Sequence, residues 1–447
     1  MTEPKISVGI LTEKKIVFEL YGDFEVDFSG QTLSGRFKCE IVNNKLVVSD
    51  KQNKYIFENE VYFAPSAPET EYFTLRDVVI GVQFHWERKE KQSFNGSLKL
   101  VIDNGKVTAV NILSIEDYLT SVISSEMSAK CTLELLKAHS VISRSWLLAQ
   151  IEKSQSIKKE NISYVRQIES GDELIKWYDR EDHVLFDVCA DDHCQRYQGT
   201  TKVFTDVARQ AVSETRGLVL VDDNEAVCDT RFFKACGGVT EAFENVWEPK
   251  HFPYLVPVID YKYEPDNYNM DLTKEANAVK WIKTSPPAFC NTTDKKVLSQ
   301  VLLDYDQETT DFYRWKVEYT QAEISELINK KTGFDFGKII DLIPVERGPS
   351  ARLTKMKIVG TKKTLTIGKE LEIRKVLSNS HLYSSAIVVE KEEVKESVPQ
   401  RFVIFGAGWG HGVGLCQIGA AVMSENGYRF DEILMHYYKN AKMKRIY

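Results

Sequence analysis

The chain has 447 residues, a net charge of −7 at pH 7, 43% hydrophobic residues and 28% charged residues. This composition excludes a disordered or collagen-like chain and supplies ample apolar surface for a core. The acidic balance argues against nucleic acid as a partner, and the absence of an 18-residue apolar run argues against a transmembrane segment.

In chain order, residues 1–110 predict short strands separated by Gly, Asn and Asp turns. Asn104-Gly105 predicts a β-hairpin over residues 97–110, because Asn-Gly suits a type I′ turn. Helices are expected from residue 114, where Ser114 and Asp117 have the spacing of a capping box. Apolar residues at three- and four-residue spacing predict a second helix over residues 133–153, and residues 124–128 are expected to form a short turn.

Further along, residues 218–233 are expected to form another hairpin. Thr320 and Glu323 predict a helix start, and Gly333 its end. Strands mixed with separate helices favour an α+β fold, with mixed β-sheets, several packed helices and an active-site cleft between them.

The densest cluster of metal-binding residue types is His183, Cys189, His193 and Cys194. Two imidazoles and two thiolates match a tetrahedral Zn²⁺ site and do not suit Mg²⁺ or Ca²⁺. Four protein ligands would close the site, so the metal is expected to be structural. The alternative is two buried thiols and two loop histidines. Whether Cys236 pairs with Cys290 is left open.

Five glycines alternate over residues 406–414, which lets the backbone approach a ligand or another segment closely. Trp409 and His411, followed by Gln417, combine an aromatic ring with polar groups, as in sugar-binding sites. A tight turn packed under a helix explains the pattern equally well. Residues 236–241 are expected to form a turn of unassigned function.

Glu126 lies in the predicted turn between two amphipathic helices. A carboxyl group in an apolar cleft keeps its proton more readily than a solvated one and can act as a general acid. A solvated loop glutamate is the ordinary alternative. Glu116 and Glu134 are expected to lie on helices and to tolerate replacement by Gln.

Together these segments resemble the SpoIID/LytB family of stage II sporulation protein D and amidase-enhancer relatives. The resemblance is carried by residues 111–119, 125–127, 136–138, 143–146, 211–217, 237–241 and 408–419. It implies a SpoIID/LytB-like catalytic domain over residues 97–447, with a long insertion at about 250–400, after a β-rich segment over residues 1–96. The family's usual Lys-Ala-Gln-Ala is Lys-Ala-His-Ser here, which places His139 at the Gln position.

The resemblance implies a lytic transglycosylase that cleaves peptidoglycan glycan strands, with Glu126 as a single acid/base and a structural zinc on the His/Cys set. It makes seven residues candidates for sugar contacts: Arg144, Ser145, Thr240, Glu241, Trp409, His411 and Gln417. One alternative is a non-catalytic glycan-binding or amidase-enhancing protein, with a cell-wall amidase as partner. Another is an enzyme on a different polysaccharide.

The implied substrate predicts a periplasmic or cell-envelope location, and a cytoplasmic location is less favoured. Residues 1–30 contain no apolar stretch typical of a signal sequence. We therefore expect that the signal is missing from this chain or that export uses another route.

Overall fold

The computed structural model describes residues 2–80, 88–128, 130–160, 167–177, 183–191, 193–201, 206–263, 270–301 and 309–447. Over these ranges the chain combines mixed β-sheets with packed helices, which confirms the predicted α+β class. The helices are α1 (Ile115–Glu126), α2 (Leu133–Glu160), α3 (Asp206–Glu214), α4 (Glu275–Lys283), α5 (Lys295–Val301), α6 (Gln321–Thr332), α7 (Glu370–Val376), α8 (Gln417–Glu425) and α9 (Phe430–Tyr437).

The N-terminal part of the chain forms one large sheet. Its strands are β1 (Lys5–Glu13), β2 (Lys15–Val26), β3 (Thr32–Val42), β4 (Lys45–Ser49), β5 (Lys54–Phe57), β6 (Glu60–Pro65), β7 (Tyr72–Ile80), β8 (Arg88–Phe94), β9 (Ser97–Asp103) and β10 (Lys106–Ser114). A short strand from later in the chain, β13 (Val188–Cys189), adds to the edge beside β1 in parallel. The sheet therefore holds one of the candidate metal ligands, Cys189, against the N-terminal strand.

This sheet joins residues on both sides of position 96, since β1 pairs with β10 and β6 pairs with β9. The β9–β10 hairpin turns at Asn104 and Gly105, whose φ angles are 47° and 76°. Two consecutive positive φ angles are the mark of a type I′ turn, so the predicted hairpin is confirmed. The chain then passes from β10 directly into α1.

The first helices pack onto this sheet and share its hydrophobic core with the two helices near the end of the chain. Tyr118 of α1, Leu135 of α2, Ile418 of α8 and Leu434 of α9 are all buried in that core. Ser114 caps α1 by accepting a 3.1 Å hydrogen bond from the Asp117 amide, as predicted.

A second core consists of buried residues between positions 315 and 404, together with Leu174. Two sheets contribute to it: the first has the order β11-β12-β19-β18-β17 and the second β16-β21-β20. Their strands are β11 (Gln167–Ser170), β12 (Glu173–Lys176), β16 (Arg314–Thr320), β17 (Ile339–Arg347), β18 (Leu353–Gly360), β19 (Thr364–Gly368), β20 (Ile387–Glu392) and β21 (Arg401–Ala407). Thr320 and Glu323 form the predicted capping box at the start of α6, and Gly333 ends that helix with a φ of 76°.

The predicted hairpin over residues 218–233 forms only at its turn, where the Cys228 amide donates to the Leu220 carbonyl, and its two arms pair with other parts of the chain. β14 (Leu218–Val221) pairs with β23 (Lys442–Arg445), and residues 221 and 227 form only an isolated bridge. Another short pair, β15 (Phe232–Phe233) with β22 (Leu415–Cys416), runs parallel and brings residues 232–241 beside residues 408–417. Within the described ranges, no helix is both long and apolar enough to cross a membrane.

Candidate functional site

Glu126 is the last residue of α1, so the helix continues through most of the predicted turn. The side chain is half-buried, and the next residue, Met127, is buried. Glu126 Oε1 accepts a 3.0 Å hydrogen bond from the backbone amide of Arg196. Among the described residues, Oε2 has no hydrogen-bond partner.

Residues 195–198, which include the amide that binds Glu126, lie along α1 and contact it at several positions. The Tyr118 hydroxyl donates to Gln195 Oε1 at 3.3 Å, and the Gln198 amide donates to Ser121 Oγ at 3.3 Å. The Tyr118 and Tyr197 rings stack with centroids 5.2 Å apart. Burial raises the pKa of Tyr118 well above its ordinary value, so its phenol stays neutral. Residues 195–198 are thereby fixed to the face of α1.

The four candidate metal ligands lie together directly before this segment. One ligand atom from each of His183, Cys189, His193 and Cys194 falls within 4.8 Å of all the others. Cys194 Sγ lies 3.4 Å from His183 Nε2 and 3.5 Å from His193 Nδ1. Two imidazole nitrogens and two sulfurs at such separations fit one tetrahedral metal ion. The group can hold a metal, and we call it the His/Cys cluster.

A buried pair connects α2 and α8 beside Met127. His139 Nε2 lies 3.1 Å from Gln417 Nε2, and that amide nitrogen lies 3.8 Å from Met127 Sδ. The amide nitrogen of Gln417 is a donor, so His139 Nε2 accepts from it. The proton of the neutral His139 ring is therefore on Nδ1, which lies 3.3 Å from Ser143 Oγ. Burial lowers the pKa of His139 to about 3, so the ring is neutral at pH 7.

Trp409 and His411 lie on the glycine-rich segment, which pairs through bridges with residues 235–241. Trp409 is half-buried and stacks on Phe312 with centroids 4.6 Å apart. His411 is half-buried too, and its Nδ1 accepts a 3.1 Å hydrogen bond from the Val413 amide. Burial and the Arg231 guanidinium hold the pKa of His411 well below its ordinary value, so its imidazole is neutral. Gly414, with a φ of +83°, could not carry a side chain, because a Cβ would lie 2.0 Å from the Arg231 carbonyl oxygen.

Glu241 and Thr240 point into the protein. Glu241 Oε1 accepts from the amide of Asn245 at 2.7 Å, and Oε2 accepts from the Ser350 hydroxyl at 2.5 Å. Burial raises the pKa of Glu241. Arg352, also fully buried, donates to Ser350 Oγ and to the Gly410 carbonyl, so this network joins the two motif segments. Thr240 Oγ1 accepts from the Val258 amide at 2.8 Å.

Arg144 and Ser145 are buried within α2. The Arg144 guanidinium binds both carboxylate oxygens of Glu116, at 3.0 and 2.6 Å, and the Leu218 carbonyl at 3.0 Å. Ser145 Oγ donates to the Val141 carbonyl and accepts from the Leu220 amide. Glu116 also accepts from the Tyr447 hydroxyl, so the expectation that it tolerates replacement is not supported by its contacts.

Three residues of this site were not identified from the sequence. Arg196 acts through its backbone amide, which every residue except proline has, so its residue type gives no signal. Arg352 lies within residues 250–400, outside the motifs that carried the resemblance and 58 residues before Gly410, to which it donates. His139 did carry a signal, since it stands where the resembled family has Gln.

Two family models match separate stretches of the chain. Residues 103–221 match the family model described as stage II sporulation protein, which covers Glu126 and all four His/Cys cluster residues. Residues 241–414 match a domain of unknown function (DUF8618), which covers Glu241, Trp409 and His411.

Three relatives align with about three quarters of the chain. An uncharacterized protein of Brachyspira hyodysenteriae is 26% identical over 346 residues, covering 77% of this chain and 70% of the relative. The amidase enhancer of Bacillus subtilis is 25% identical over 340 residues, and the chain matches only 39% of its length. Stage II sporulation protein D of Bacillus subtilis is 22% identical over 339 residues, with 75% and 76% coverage. These findings confirm the resemblance noted from the sequence.

Proposed function

Because residues 103–221 match the stage II sporulation protein family, we propose that the chain is a lytic transglycosylase acting on peptidoglycan glycan strands. The proposal depends on Glu126. Its carboxyl group is half-buried, one oxygen is fixed by the Arg196 amide, and among the described residues the other oxygen has no protein partner. A general acid needs this combination of fixed position and one available oxygen.

One carboxyl group is sufficient for this reaction. Glu126 in its acid form gives a proton to the glycosidic oxygen while the bond from C1 of the muramoyl sugar breaks. The resulting carboxylate takes the proton from the C6 hydroxyl of the same sugar, whose oxygen bonds to C1. The products are a free hydroxyl on the leaving sugar and a 1,6-anhydro ring. Neither a second carboxylate nor an activated water is required, because the nucleophile is intramolecular.

The proposal includes Zn²⁺ on the His/Cys cluster. Two sulfurs and two nitrogens suit zinc, and four protein ligands leave no position for a water, so the ion would act as a cross-link. Cys194 is two residues before Arg196, whose amide holds Glu126. The metal would thus order the segment that positions the acid without entering the reaction.

Of the seven candidate sugar contacts, Trp409 and His411 are the two that remain partly accessible. The other five are buried and bonded to protein groups. We therefore keep Trp409, whose ring already packs against Phe312 and Tyr383, and the neutral His411 as the two candidate glycan contacts in the proposed site.

A second candidate function is that of a glycan-binding amidase enhancer without cleavage activity. The named amidase enhancer among the relatives favours it. In that case a cell-wall amidase would be the partner. Both functions imply an envelope location.

The decisive experiment measures release of 1,6-anhydromuramoyl fragments from peptide-free glycan strands by mass spectrometry. Glu126→Gln keeps the side-chain shape and removes the titrating group, so cleavage should fall by about 10²–10⁴-fold or more, while co-sedimentation with glycan persists. Glu326→Gln is the matched control, because Glu326 is exposed on α6. Near-normal release by folded Glu126→Gln protein would refute the assignment. Wild-type protein that binds glycan, releases no fragments and stimulates an amidase would establish the second function instead.

A further inference from the structure

Three thiols and one carboxylate meet in the interior, away from the His/Cys cluster. They belong to Cys236, Asp260, Cys290 and Cys416, which we call the Cys/Asp cluster. One ligand atom from each lies within 4.8 Å of all the others, and all four residues are buried. We propose that this cluster is a second metal site that binds Zn²⁺.

The spacing of the sulfurs fits a shared ion. Cys236 Sγ and Cys290 Sγ lie 3.4 Å apart as free thiols. Two sulfurs bound to one tetrahedral zinc at about 2.3 Å are separated by about 3.8 Å. A small outward movement of the two side chains would therefore accommodate the ion.

The oxygens of the buried Asp260 carboxyl group are available to a metal ion. Asp260 is fully buried, and it forms no ion pair with any described residue. Its Oδ2 accepts from the Cys290 amide at 2.9 Å, and its Oδ1 accepts from the Tyr437 hydroxyl at 2.6 Å. Each oxygen retains a lone pair for a metal. Buried carboxylates in proteins are normally paired or coordinate metals, so a bound cation would provide the partner that an ionised Asp260 requires.

Backbone donors already point at the sulfurs. The Gly238 amide donates to Cys236 Sγ at 3.2 Å, and the Cys236 amide donates to Cys416 Sγ at 3.3 Å. Gly237 and Gly238 have φ angles of 79° and 112°, which allow the tight turn that aims the Gly238 amide. Cys416 is the N-cap of α8, and a helix N-terminus favours a thiolate. Such outer contacts orient metal ligands and tune their basicity.

The donor set selects the metal and its role. Three sulfurs with one oxygen favour zinc over Mg²⁺ or Ca²⁺. Four protein ligands make a closed, structural site. The ligands come from four separate stretches of the chain, and the ion would join the 236–241 motif to the start of α8. It would thus stabilise the part of the proposed glycan site that carries Trp409 and His411.

The test is a zinc count on the full chain purified without chelators. We expect two zinc ions per chain in the wild type, one in Cys290→Ser, one in Cys189→Ser and none in the double variant. Cys228→Ser is the control, because Cys228 is a buried thiol outside both clusters, and its count should stay at two. One zinc per chain in the wild type, kept in Cys290→Ser and lost in Cys189→Ser, would place the single ion on the His/Cys cluster and overturn the proposal.

Two other results would overturn it as well. One is a folded Cys290→Ser protein that keeps both ions. The other is a Cys236–Cys290 disulfide, detected by mass spectrometry after alkylation of the native protein.

Discussion

The backbone amide of Arg196 donates a 3.0 Å hydrogen bond to Oε1 of Glu126, only two residues after the metal-ligand candidate Cys194. The hydrogen bond between Arg196 and Glu126, which are 70 residues apart in sequence, therefore connects the proposed acid to the segment that carries the His/Cys cluster. A change in the cluster should move the Arg196 amide, and with it the carboxylate.

The first prediction concerns Cys189. Cys189→Ser should lower the zinc content by one ion per chain and lower the melting temperature, because structural metal binding contributes to folding. At temperatures where the variant is folded, kcat should fall more than KM rises, since Glu126 loses its fixed position. Zinc analysis, thermal melts and the anhydromuramoyl assay measure these effects.

Cys39→Ser provides the control for Cys189. Cys39 is buried in the N-terminal sheet, outside both clusters, so its loss should affect the melting temperature without changing the metal count. A Cys189→Ser protein with the wild-type zinc content would contradict the role assigned to the His/Cys cluster.

A second prediction concerns Glu116, which binds Arg144 through both carboxylate oxygens. Glu116→Gln should destabilise the protein by about 3–5 kcal/mol, because it leaves the Arg144 guanidinium buried without its counter-ion. Urea unfolding measures the loss. Replacing both residues by Leu should cost less than the sum of the single replacements, as expected for a coupled pair. An additive result would mean that the pair is not coupled.

Local features could be predicted from the sequence, whereas long-range pairings could not. Asn104-Gly105, the Ser114 cap and the Thr320 capping box depend on neighbours within a few residues, and each formed as expected. The strand at residues 218–221 pairs with residues 442–445, a choice that no local pattern determines.

In the candidate site, too, local spacing could be predicted from the sequence and long-range contacts could not. The spacing of His183, Cys189, His193 and Cys194 was sufficient to group them, and they do lie together. Arg144 lies in a matching motif, but only its burial against Glu116 reveals that its guanidinium is already occupied. Polar residues in a motif can serve either substrate or structure, and burial decides between these roles.

A third prediction tests whether Glu241 contacts the substrate or only supports the structure. Its carboxylate accepts from Asn245 and Ser350 and is almost fully buried. Glu241→Gln should cost about 1–3 kcal/mol in unfolding free energy, because an amide nitrogen would replace one buried acceptor. The cleavage rate per folded molecule should be nearly unchanged. A large loss of activity at wild-type stability would instead make Glu241 a substrate or catalytic residue.

The last prediction concerns His139, whose folded pKa of about 3 lies far below the value of about 6.5 expected for an unfolded histidine. A histidine with a depressed folded pKa favours the folded state fully above about pH 6.5, and that contribution is lost as the pH falls towards 3. Between pH 7.5 and 5.0 this loss should reach roughly 2 kcal/mol. The charged group acting on the ring is Lys234, which disfavours protonation further, while Gln417 donates to Nε2 and would oppose a proton there.

His139→Gln removes the titrating ring and keeps a polar side chain that can bond to Gln417. Its unfolding free energy, from urea titrations at pH 7.5 and 5.0, should therefore change by about 2 kcal/mol less than that of the wild type. His251→Gln is the control, because His251 is exposed and its loss should leave the wild-type pH dependence nearly intact. If wild type and His139→Gln lost equal stability on acidification, protonation of His139 would not be the cause. Gln417 also contacts Met127, next to Glu126, so the variant could reach the active site through this contact. We expect only a modest change in the cleavage rate at pH 7.5, because His139 is already neutral there.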